Sequence, residues 1–71
     1  MFPTPQPAKG VLAVRRVSNR TVAVWTGLTA YHVGRILNGW VPASPAFRAE
    51  LAERLNVIED ELFRVDESVS L

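Results

Sequence analysis

Residues 18–40, SNRTVAVWTGLTAYHVGRILNGW, decide how this chain folds. Ser18 suits a helix N-cap, where its side-chain oxygen takes an otherwise unpaired backbone N–H. Val17 and Val22 flank it at hydrophobic-staple spacing. The helix they start should end at Thr26 and Gly27, since glycine takes the left-handed conformation that closes a helix. Thr29 caps a second helix, stapled by Leu28 and Val33, which stops at Asn38 and Gly39. At about 100° per residue, Val33, Ile36 and Leu37 fall on one side of this second helix. Ala30, Tyr31, Gly34, Arg35 and Asn38 fall on the other. That outer face offers a phenol, a guanidinium and an amide, and no acid. A merely solvated face mixes both signs of charge, so this one suits a polyanion.

Working outward, residues 44–63 add two more helices. Ser44 is an N-cap and Pro45 stands at the first helical position, where its missing N–H costs nothing. Phe47, Leu51 and Leu55 recur every four residues as a core stripe, Glu50 and Arg54 pair at i, i+4 on the outer side, and Asn56 is a stop. Val57 and Ile58 lead into a short last helix with Leu62 and Phe63 turned inward. Upstream, AKGVLAVRR reads as a first helix with Ala8, Val11, Leu12 and Val14 facing in. Arg15 and Arg16 at its end complement the helix dipole or meet phosphate. Residues 1–7, MFPTPQP, are too rich in proline for a helix and read as a flexible or extended tail. The expected fold is an all-α five-helix bundle, with helices at 8–16, 19–26, 30–37, 45–55 and 59–64, and a frayed tail at 65–71.

The order of these pieces resembles the lambda-repressor/Cro family of helix-turn-helix DNA-binding domains. Ala23, Gly27, Val33 and Ile36 fit that motif's small residue, turn glycine and β-branched pair, and the downstream helices follow in the family's order. The resemblance implies a recognition helix at 30–37 lying in the major groove of double-stranded DNA. Its base readers are then Ala30, Tyr31 and Arg35, with Thr29 and His32 beside them. Asn19 and Arg20 fall at a helix N-terminus that suits a phosphate, and Asn38 and Gly39 where the family contacts phosphate through side chain and backbone N–H. His32, as a lone histidine, equally reads as a half-buried hydrogen-bonded ring. Gly34 serves either a deep seat in the groove or a close helix crossing. Leu12 and Leu37 occupy places where relatives often carry a buried ion pair, so the two leucines should meet. Trp40 continues the inward stripe and should cap the core, whereas Val24 and Trp25 should cover the N-terminal tail, form a dimer contact or simply stand exposed, the first being favoured.

Composition agrees with that reading. The 71 residues make one small domain, are 48% hydrophobic, and include no cysteine and a single histidine, which excludes a disulfide framework and a Cys/His metal centre. The net charge of +1 hides an asymmetry: residues 1–42 hold Lys9, Arg15, Arg16, Arg20 and Arg35 with no acid, while residues 43–71 hold three arginines against seven acids. Such a division points to a nucleic-acid partner on the basic half. No nucleophile–base set or phosphate-cradling glycine loop is present to suggest an enzyme. No cofactor, small-molecule ligand, membrane span or secretory signal is expected. The expected protein is a small bacterial or phage repressor, cytoplasmic, binding an operator as a weak homodimer. The alternatives are a protein-interaction module, such as an antitoxin or anti-host factor, and a recombination or excision accessory protein.

Overall fold

The computed structural model describes residues 3–63, which form five helices and no strand. They are α1 (Pro7–Val14), α2 (Asn19–Thr26), α3 (Ala30–Leu37), α4 (Pro45–Leu55) and α5 (Glu59–Leu62). The expected fraying of 65–71 lies outside the described residues.

Three hydroxyl caps fix where helices begin. The Ser18, Thr29 and Ser44 side-chain oxygens accept from the N–H groups of Thr21, His32 and Phe47 at 3.2, 3.0 and 3.1 Å. Left-handed residues fix where they end. Gly27 closes α2 at φ 76°. Gly39 closes α3 at φ 84°, with its N–H donating to Ile36 and that of Trp40 to Arg35. Asn56 closes α4 at φ 57° by the same paired pattern, onto Glu53 and Ala52.

Helix α1 departs from expectation at both ends. It starts one residue early because Pro7 serves as its first residue, a place where a fixed φ and no N–H are harmless. It ends two residues early because Arg16 turns left-handed at φ 58°, with the Arg16 and Val17 N–H groups donating to Ala13 and Leu12. No glycine marks this stop, so the sequence hid it. Arg15 consequently serves another helix: its guanidinium donates to the Leu55 carbonyl, capping the C-terminal end of α4. Helix α5 ends at Leu62, short of the expected 59–64, because Phe63 becomes extended at φ −131°.

The five helices close over one apolar cluster with no buried polar or charged residue among those described. Ala8 and Leu12 come from α1, Val22 and Ala23 from α2, and Val33, Ile36 and Leu37 from α3. Helix α4 adds Phe47, Leu51, Ala52 and Leu55, and Leu62 and Phe63 complete it. The Phe47 and Phe63 rings meet edge to face, with centroids 6.0 Å apart. Helix α1 packs on α3 and α5, and α2 on α3 and α4. Leu12 and Leu37 are both buried in this core, on helices that touch.

Three apolar expectations need correcting. Val14 is exposed, because at about 100° per residue it stands well round α1 from the buried Ala8 and Leu12. Trp40 does not cap the core: the left-handed turn at Gly39 takes it off the helical stripe and leaves it 55% exposed. Trp25 does not cover the N-terminal tail. It packs half-buried against the core, with the Arg54 guanidinium of α4 5.6 Å from its ring. Ile58, just before α5, for which no burial was expected, is exposed.

Relieving the left-handed arginine tests this description of the turns. An L-residue there costs roughly 1–2 kcal/mol that glycine avoids, offset in part by the entropy of the unfolded chain. Arg16→Gly should therefore leave stability unchanged or raise it by about 1 kcal/mol in urea unfolding. Leu12→Ala should remove about 2–5 kcal/mol. A clear loss in Arg16→Gly would contradict the assigned turn.

Candidate nucleic-acid interface

Burial of Val33, Ile36 and Leu37 turns the opposite side of α3 outward. Ala30, Tyr31 and His32 are exposed there, and Gly34, Arg35 and Asn38 are half-buried. His32 thus presents its ring to solvent, and the half-buried reading of it is overturned. Its backbone N–H goes to the Thr29 cap. The Thr29 hydroxyl accepts that bond and keeps its own proton to donate.

Two other helices bring side chains to this face. Asn19, in the first turn of α2, lies over the middle of α3: a Cβ built on Gly34 would sit 3.4 Å from its Nδ2. Gly34 therefore makes room for the Asn19 amide more than for a helix backbone. Arg20 follows it, exposed, in the same first turn. From α1, Lys9 reaches the C-terminal end of α3 and donates its Nζ to Asn38 Oδ1 at 2.5 Å. Sequence reading gave Lys9 no place in this set. The two residues are 29 apart in sequence, and only the packing of α1 on α3 joins them.

The turn after α3 is more crowded than expected. Gly39 donates its N–H to Ile36 and Asn38 donates its own to Gly34, so neither is free for the phosphate contact that the resemblance implied. Residues 3–6 run across this turn. The Gln6 N–H donates to the Leu37 carbonyl at 2.8 Å. A Cβ on Gly39 would fall 2.3 Å from the Thr4 carbonyl oxygen, a backbone clash that nothing flexible could relieve. What Asn38 offers a ligand is its side chain, with the Lys9 ammonium attached.

Arg35 lies close to two exposed rings. Its guanidinium carbon is 5.9 Å from the Tyr31 centroid and 6.0 Å from that of Trp40, both within cation–π range. Sequence periodicity placed Tyr31 here, one helical turn before Arg35. It missed Trp40, because the 100° rule ends where the helix does.

Electrostatically the face is one-signed. Every acid among the described residues lies on α4 or α5, where Glu50 binds Arg54 at 2.7 Å and Glu59 approaches Arg48 at 3.8 Å. Helices α1, α2 and α3 carry Lys9, Arg20 and Arg35 and no acid. An ammonium, a guanidinium, two amides, a phenol and an indole on this side of the bundle supply hydrogen-bond donors and positive charge. Such a surface is chemically suited to acceptor-rich anions.

Compared with protein-family models, with curated proteins and with solved structures, the chain matches none.

The place of Gly34 yields a direct test. Its added Cβ would make ordinary contact with the end of a flexible side chain, and alanine is the better helix former by about 1 kcal/mol. Gly34→Ala should raise the thermal unfolding midpoint. A lower midpoint would show that the α2–α3 crossing is tighter than this geometry allows.

Proposed function

We propose that this chain is a sequence-specific double-stranded DNA-binding protein that acts as a small transcriptional repressor. The observation that carries the reading is the composition of one surface. Tyr31, Arg35 and Asn38 on α3 are joined by Asn19 from α2 and Lys9 from α1, on the half of the bundle that has no acid. The size also suits the partner. A helix is about 10–12 Å across with its side chains, and the major groove of B-DNA is about as wide.

In this reading α3 enters the groove. Arg35 makes a bidentate contact to guanine, Tyr31 meets a base or phosphate, and Ala30 gives apolar contact to a thymine methyl. Asn19, Arg20 and Lys9 with Asn38 hold the phosphates on either side. Thr29 and His32 stand at the entering end of the helix. The function is binding, with no catalytic step and no cofactor. The repressor would block polymerase by occupying its operator, in the cytoplasm of a bacterial host. The resemblance of residues 18–40 and the following helices to the lambda-repressor/Cro family supports the same conclusion. No helix among the described residues is long and apolar enough to cross a membrane.

An eight-residue helix is about 12 Å long and spans about three or four base pairs. One such contact discriminates poorly among the sites of a genome. A homodimer on a two-fold operator, with half-sites about one turn apart, overcomes that limit. The exposed Val24 and the region of α5 beside the exposed Ile58 are its candidate surfaces. The exposed Val14 and Val24 also suit the second reading, a module that grips a protein.

Selection from a random duplex pool separates the two. The wild-type chain should enrich a two-fold sequence, and Arg35→Ala should relax one base pair in each half-site, costing about 1–3 kcal/mol. Lys9→Ala should weaken all sequences alike and reduce the logarithmic salt slope by about 1. No enrichment at low salt would reject the operator reading in favour of a protein partner.

A further inference from the structure

We infer that Trp40 is a positioning residue for Arg35, holding the guanidinium in the attitude from which it reads a base. The inference rests on the DNA-binding reading above and deepens it. Arg35 has a long side chain that on an open helix face would sample many rotamers. Here it is flanked by Tyr31, one turn earlier on α3, and by Trp40, just past the helix end, at 5.9 and 6.0 Å. A guanidinium that meets a ring through its face keeps its edge, with its N–H donors, free to point outward. The rotameric freedom given up on binding DNA is then already reduced in the free protein.

Trp40 is itself held in place by the backbone. Its N–H donates to the Arg35 carbonyl at 2.9 Å, so the residue that carries the guanidinium also anchors the residue that flanks it. Gly39 between them is left-handed at φ 84°, and the Thr4 carbonyl lies against it where a Cβ would stand. The strand of chain at residues 3–6 is tied down by the Gln6 to Leu37 bond. The N-terminal segment thus acts as a strap over the turn that aims Trp40. Trp40 is 55% exposed and outside the core, so its approach to Arg35 is not a by-product of burial. The position of Arg35 in the last turn of α3 favours its charge through the helix dipole, but the dipole sets no direction for the guanidinium.

Two measurements test this together. In the free protein, the Arg35 side-chain protons should show ring-current shifts by NMR that fall sharply in Trp40→Ala. On the selected duplex, Trp40→Ala should bind about two- to fivefold more weakly, with discrimination lost at the base pair that Arg35 reads. Trp40→Phe should restore most of both. In an Arg35→Ala background, Trp40→Ala should add no further loss. An equal loss in both backgrounds would overturn the inference, because Trp40 would then be acting on DNA or on the fold by itself. Absent ring-current shifts in the wild-type chain would also overturn it, even with sequence-specific binding intact. If the shifts are present and no duplex is selected, it is the DNA reading that fails.

Discussion

Burial of Val33, Ile36 and Leu37 sets the rotation of α3 about its own axis, and the rest of the surface depends on that setting. Each of these side chains contributes about 1.5–3 kcal/mol when fully removed from water. Together they match the entire net stability expected of a small domain. A turn of one residue's angle would expose at least one of them, so the outer face is held in a single direction. Tyr31, Arg35 and Asn38 point outward because their neighbours cannot.

The same core distributes the charges. No polar or charged residue is buried as a whole among the described residues, though the Arg48 Nε is covered, so the ionised side chains lie at the surface and their sign is felt there. On α4 and α5 the charges are mutually engaged, as in Glu50 with Arg54 and Arg48 with Glu59. Exposed pairs of this kind contribute little to stability. Their effect is on the field: the acids stay with α4 and α5, and α1 to α3 present cations alone. Arg15 shows the same logic turned to structure, since its charge closes the C-terminal end of α4.

The fold was largely legible because local signals agreed with one another. Ser18, Thr29 and Ser44 each announced a helix start, and Gly27, Gly39 and Asn56 each a stop, so α2, α3 and α4 have the expected bounds. Helix α1 was misjudged where that punctuation was missing, at an arginine forced left-handed. The candidate interface was half legible. Residues on α3 follow from helical spacing, which needs no tertiary knowledge. Lys9 against Asn38 and Thr4 against Gly39 are contacts between distant segments, and no local pattern encodes them. Trp40 was misplaced because the stripe was extended past Gly39, where the backbone changes hand. His32 was misjudged because a lone histidine carries no directional signal when it stands at the edge of two faces.

The most direct measurement is an amide chemical-shift map of the protein titrated with a short double-stranded DNA at low salt, where binding through phosphates needs no particular sequence. The surface described here predicts shifts confined to the first turn of α1, the N-terminus of α2, and α3 with its following turn, all reversed by added salt. The amides of Glu59, Asp60 and Glu61 should stay still. Shifts centred on α4 and α5, or none at all, would contradict a DNA-binding role for this face.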